Sequence, residues 1–146
     1  MATEENVTKM FETVCAAITE AGLRYEQNDA KRVIEFSLAA NPFPVQYRIA
    51  VRAANKTISF FSELPFRVPK DRAEWFAKRL MKLVFDNLYV GTFDFNPDNG
   101  LVVFRTEIMY QESLISKQTI RLMKDIVYET VTKHTEAIFR LSRGEE

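Results

Sequence analysis

The 146 residues contain one histidine and one cysteine, so nucleophilic, acid–base or metal chemistry has few places to start. A histidine base needs an acid or a nucleophile within reach, and a metal needs further ligands. His134 has no second histidine to help it, and it falls on the apolar stripe of the last helix, where a structural role is the simpler reading. Cys15 sits in the middle of a helix with no basic neighbour in sequence to depress its pKa, which favours packing over reactivity. Asp94-Phe95-Asn96-Pro97-Asp98-Asn99-Gly100 sets oxygens at alternate positions, as a calcium loop does. The pattern then breaks, with Asn99 where the loop needs glycine and Arg105 where the closing glutamate belongs. Gly22, Gly91, Gly100 and Gly144 are isolated, so no phosphate-cradling loop is present, and there is no Gly-x-Ser-x-Gly elbow. Glu107 and Glu112 would form an acid–base pair only if the fold converged them. No catalytic residue, metal or cofactor is expected.

The elements that must carry these residues follow from periodicity. Val7, Met10, Phe11, Val14, Ile18 and Ala21 repeat at helical spacing, with Thr3 placed to cap the helix and Gly22 to end it. A strand is expected from Val33 to Leu38. A second runs from Val45 to Arg52, whose strict alternation marks an antiparallel sheet with one packed face. Thr57 to Ser62 returns the chain. A loop at Leu64-Pro65-x-x-Val68-Pro69 then leads into a second helix from Asp71 to Asn87, with an apolar stripe of Ala73, Phe76, Ala77, Leu80, Leu83 and Val84. Thr92–Asn96 and Leu101–Tyr110 read as a hairpin. A two-residue turn at Asn99-Gly100 predicts Phe95 opposite Phe104 and Asp94 opposite Arg105, with Pro97 facing Val102. A last helix from Ser116 to Ser142 turns Ile120, Met123, Val127, Val131, His134, Ile138 and Leu141 inward. The expected fold is one α+β domain over residues 1–146: an antiparallel sheet with three helices on one face, in the order helix, strands, helix, hairpin, helix.

Composition narrows the function. Lys+Arg and Asp+Glu both total 20, and this zero net charge argues against a nucleic-acid partner, which demands a basic footprint. One cysteine excludes an internal disulfide framework. Met1 to Thr8 is polar and acidic, unlike a signal peptide, and no apolar run approaches the roughly 20 residues of a spanning helix. A cytoplasmic protein away from the membrane is the expectation.

Two surfaces stand out. Around the second helix, Trp75 falls nearly opposite the apolar stripe, among Arg72, Lys78, Arg79, Lys82 and Asp86, with Phe85 and Met81 on the flank. An aromatic beside cations is the composition of interface hot spots. Trp75 either faces outward in this way or folds back on the Phe66 loop. On the last helix, Ile115, Leu122 and Ile126 make a second apolar stripe, unless Ile115 precedes the helix.

The Leu64-Pro65 and Val68-Pro69 pairs ahead of the second helix, with Gly91-x-Phe93-x-Phe95, Asp98-Asn99-Gly100 and Phe104-Arg105, resemble the bacterial YbjN-domain family of sensory transduction regulators. The resemblance spans Val7 to Leu141 in element order. It implies a fold similar to type III secretion chaperones and a role in holding or regulating another protein, often as a dimer, and it supplies no catalytic residues. Leu83-Val84-Phe85-Asp86-Asn87 departs from the polar, Asn-containing helix end more usual in that family. The leading expectation is a non-enzymatic, chaperone-like or regulatory module that binds a partner protein segment or a second copy of itself. Trp75, Phe85, Leu122 and Ile126 would make the contacts, with Arg79 and Lys82 at the rim. The rival is an enzyme or small-molecule binder with a cleft between the sheet and the last helix, where Glu107, Tyr110 and His134 would converge. RNA binding on the basic side of the second helix is the third and weakest.

Overall fold

A computed structural model describes residues 4–111 and 113–146, so the expected Thr3 cap and the Glu112 half of the carboxylate pair lie outside the described residues. Helix α1 (Glu4–Glu20) buries Val7, Met10, Phe11, Val14, Ala17 and Ile18 along one side, and Glu4 and Glu5 complement the dipole of its first turn. The helix is closed by Leu23 N–H donating to the Ile18 carbonyl at 3.3 Å. Six strands follow: β1 (Glu26–Asn28), β2 (Val33–Leu38), β3 (Val45–Arg52), β4 (Thr57–Arg67), β5 (Thr92–Asn96) and β6 (Leu101–Met109). All pair antiparallel in the order β1-β2-β3-β4-β6-β5. A short 3-10 turn (Lys70–Arg72) runs into α2 (Ala73–Asn87), and α3 (Lys117–Ser142) completes the chain. Ser116 caps α3, its hydroxyl accepting from Thr119 N–H at 3.2 Å.

The three helices cover one face of the sheet. Ile34, Phe36, Val45, Tyr47, Ile49, Val51, Ile58, Phe60, Val102 and Phe104 are buried beneath them, in one cluster with Met10, Val14 and Ile18 of α1 and Ile120, Val127 and Ile138 of α3. Each such side chain stabilises the fold by roughly 1.5–3 kcal/mol through removal from water. Tyr47 adds a directional tie, its buried hydroxyl donating to the Lys124 carbonyl of α3 at 2.7 Å. Helix α2 is more lightly anchored, with only Phe76 and Leu80 fully buried, and Phe76 meets Phe95 of β5 edge-to-face at 4.9 Å.

Two expectations are corrected. Strand β4 does not stop at Ser62 but continues to Arg67, absorbing Leu64-Pro65 into the ladder at a register shift between Glu63 and Arg67. The lost N–H of Pro65 is tolerated at that irregularity. The β5–β6 hairpin is two residues out of the expected register. Phe93, not Phe95, lies opposite Phe104, and Phe95 lies opposite Val102. A type I′ turn would need positive φ at both Asn99 and Gly100, and of the two only Gly100 has it, at +76°. The loop is therefore four residues, Pro97 to Gly100, and Pro97 stands outside the ladder. A slip of two preserves the face of every side chain, so the Asp94–Arg105 ion pair survives as a diagonal contact of 3.0 Å.

This longer turn has a structural purpose. Val68 N–H donates to the Gly100 carbonyl at 2.9 Å, and a Cβ at Gly100 would fall 2.4 Å from the Val68 carbonyl oxygen. The segment that launches α2 is thus seated on the tip of the hairpin, a closeness that only glycine permits. Gly100→Ala is expected to lower stability by about 2 kcal/mol or more, read as a shifted urea midpoint, because positive-φ strain and a backbone clash add. Gly22→Ala, at φ +80° with nothing within 4 Å of the added methyl, should cost about half as much.

Candidate protein-binding surface

Trp75 lies in the first turn of α2. It is half-buried against the core, and the Arg79 guanidinium lies over its ring, 3.8 Å from the centroid. Arg79 also donates from Nη1 to the Trp75 carbonyl at 3.2 Å and from Nε to the Glu146 carboxylate at 2.6 Å. Phe66 packs against Phe43 and Phe139 with ring centroids 5.9 and 5.1 Å away. Phe85 projects into solvent, 85% exposed, beside the Lys82–Asp86 ion pair of 2.8 Å. Leu122 of α3 is 58% exposed, whereas Ile126 is half-buried against the core. Ile115 precedes α3 and is tied down by its N–H donating to the Met10 sulfur at 3.2 Å, so the second apolar stripe does not form as a stripe.

The sequence points to the Phe85 and Met81 flank of α2 but not to Tyr89 and Val90 just beyond it. Met81 is 71% exposed, Tyr89 is fully exposed and Val90 is exposed beside it, extending the line of Phe85 along the outer side of α2 and past its end. Met81 and Phe85 are spaced by four, the interval that stacks helical side chains on one face of α2, while Tyr89 and Val90 follow the extended Leu88 beyond its end. Isolated exposed apolar residues such as Met109 and Leu114 are ordinary, but three large ones in a row are not. The ridge lies outward because Leu80 and Phe76 take the inward side of the same helix.

The second open surface is the sheet face away from the helices. A shallow groove of about 1230 Å³ crosses it, lined among others by Glu35, Arg48, Arg52, Phe61, Glu63 and Val103. Charges of both signs share it, and Arg52 leans over the Phe61 ring at 5.6 Å. This is a solvated face in which long side chains shelter small ones, Ala50 and Ser59 both being buried there.

The residues proposed for a catalytic cleft do not converge. Tyr110 is buried with its hydroxyl donating to the Arg52 carbonyl at 2.8 Å, and His134 is buried with its ring edge-on to Phe93. Glu107 alternates to the opposite side of the sheet, 4.0 Å from Arg105. Burial raises the Cys15 thiol pKa, the reverse of what a nucleophile requires. In the hairpin loop, Asn96 Oδ1 accepts from Asp98 N–H at 2.9 Å and Asn99 Oδ1 from Leu101 N–H at 3.0 Å, so these oxygens serve the turn. Among the described residues, no three histidine, cysteine or carboxylate side chains gather in a way that could hold a metal ion. No helix among them is long and apolar enough to cross a membrane.

His134 does carry a pH consequence. Burial, and secondarily the Lys133 charge, holds its pKa below the ordinary 6.5. The unfolded chain therefore takes up a proton more readily than the folded one, and stability rises with pH across the interval between the two values. Melting temperature is expected to be sustained above about pH 6.5 and to fall as the pH drops below it. His134→Leu should flatten that part of the profile. An unchanged pH profile in the variant would show that other groups set it.

No family model matches the chain, and no curated protein matches it in sequence. Solved structures do match it in shape. YbjN from E. coli, described as a candidate transcription regulator, superposes with a TM-score of 0.59 at 13% identity, covering 87% of this chain and 92% of that one. A chain of the ExoT–SpcS complex from Pseudomonas aeruginosa gives 0.52 at 11% identity, covering 85% and 96%. A chain of the HopA1–SchA chaperone–effector complex gives 0.49 at 9% identity, covering 99% and 97%. At such identities shape similarity speaks to fold alone, and the fold is YbjN-like: an antiparallel sheet of six strands carrying three helices.

Proposed function

We propose that this chain is a one-domain member of the YbjN-like group that acts without catalysis, as a chaperone-like or regulatory module binding a protein segment or a second copy of itself. The observation that carries this reading is the set of exposed apolar side chains formed by Met81 and Phe85 on the lightly anchored helix α2 and by Tyr89 and Val90 just past its end. A chain pays no folding penalty for leaving such residues in water, but it forgoes roughly 1.5–3 kcal/mol of burial for each. A partner recovers that term. Arg79 and Lys82 supply a charged rim, and Trp75 lies at the amino-terminal end of the same helix. Leu122 and Ile126 on α3 form a lesser contact region. A similar fold in a chain of the ExoT–SpcS complex is in keeping with such a role.

The test is Phe85→Asp, alone and with Met81→Asp. Because both side chains are exposed, melting temperature should be nearly unchanged. Sedimentation velocity of the parent should show mass rising above 17.0 kDa with concentration. The variant should associate at least about thirtyfold more weakly, the loss expected of one interface hot spot. A parent that stays monomeric, with no Phe85-dependent enhancement of an apolar dye, would overturn the reading.

A further inference from the structure

We infer that the face of α2 carrying Arg72, Trp75 and Arg79 is a binding site for an acidic segment of a partner protein, occupied in this structure by residues 142–146 of the same chain. The inference rests on the reading of α2 as the partner-facing helix. After Ser142 the chain reverses, Gly144 N–H donating to the Leu141 carbonyl at 3.0 Å and Glu145 N–H to the Arg140 carbonyl at 2.9 Å. The reversal brings residues 142–146 back to α2. Arg72 Nη1 donates to the Ser142 carbonyl at 3.2 Å, and a Cβ at Gly144 would fall 2.9 Å from Arg72 Nε. Glu146 then receives the Arg79 Nε–H at 2.6 Å, while the same guanidinium lies over the Trp75 ring, 3.8 Å from its centroid.

Arg72, Trp75 and Arg79 follow one another at intervals of three and four, so they share one side of the helix. Together they present backbone-carbonyl and carboxylate recognition beside an aromatic ring, with the Arg79 guanidinium held over that ring and its Nε–H directed at a carboxylate. The charge balance agrees. Residues 70–87 carry Lys70, Arg72, Lys78, Arg79 and Lys82 against Asp71, Glu74 and Asp86, a local basic excess in a chain of zero net charge. The tail holds the site loosely, because the Glu146 side chain is 68% exposed and pairs of that kind contribute little. It behaves as a tethered ligand that a better acidic segment displaces.

The experiment uses the full chain and the variant Glu145→Gln/Glu146→Gln, with acetyl-Leu-Ser-Arg-Gly-Glu-Glu as the added probe and Trp75 emission as the readout. The variant should show stronger acrylamide quenching and bind the peptide about two- to fivefold more tightly than the parent, because the tethered competitor is weakened by an exposed ion pair's worth. Added salt should reduce that affinity. Arg79→Gln in the variant background should abolish the response, and Arg79→Lys, which keeps the charge without the planar fork, should restore only part of it. Equal quenching and equal peptide response in parent and variant would overturn the inference. Phe85→Asp separates the two readings. Peptide binding that persists when Phe85-dependent association is lost supports the tail site, and association without any peptide response removes the tail site alone.

Discussion

The seating of Val68 on the Gly100 turn is the contact on which the functional geometry depends. Strand β4 ends at Arg67, and the backbone must turn at once into the 3-10 step and α2. The hydrogen bond between Val68 N–H and the Gly100 carbonyl fixes where that turn happens, and it joins the centre of the sheet to the tip of its last hairpin. Leu64 and Val68 are buried on either side of it. With its start fixed there and Phe76 lodged against Phe95, α2 has one azimuth, and that azimuth sends Met81 and Phe85 outward.

The distribution of apolar side chains then separates the helices by role. Helices α1 and α3 each turn a continuous row of large side chains into the core and cross the same sheet face, tied to one another by the Ile115–Met10 contact and the Lys117–Glu20 ion pair of 2.6 Å. Helix α2 commits Phe76 and Leu80 and leaves much of its circumference free. It has enough burial to hold its place and enough exposed apolar surface to attract another molecule. Titratable chemistry is spread in the opposite sense: His134, Tyr110 and Cys15 are each taken up by packing, and burial shifts each pKa toward the neutral form.

Much of the fold was legible because local pattern and tertiary role agree. Strand β3 alternates so regularly that its bounds, Val45 and Arg52, follow from the sequence, and β2, α1 and α3 are nearly as plain. The misreadings have a common physical origin. Pro65 is a turn signal in isolation, yet β6 beside it accommodates an irregular ladder. Asn99-Gly100 favours a tight hairpin in isolation, yet the Val68 backbone needs Gly100 at a wider turn. Trp75 was undecidable locally because its cover is completed by Glu146, 67 residues beyond the arginine that it holds. Phe85 and Met81 were visible as off-stripe apolar residues, but Tyr89 and Val90 were not, because they lie past the end of the helix, where its periodicity gives no guide.

The two outer strands of the sheet bear on how the molecule behaves at high concentration. On one side β1 is three residues long, polar and fully solvated, and on the other β5 is five residues long, bears Asp94 and runs straight into Pro97. Short rims with charge and proline are poor templates for ladder growth. Stickiness is thereby kept off the peptide backbone, where it would be indifferent to sequence and would favour fibres. It is confined to a few side chains, whose shapes can discriminate one neighbour from another.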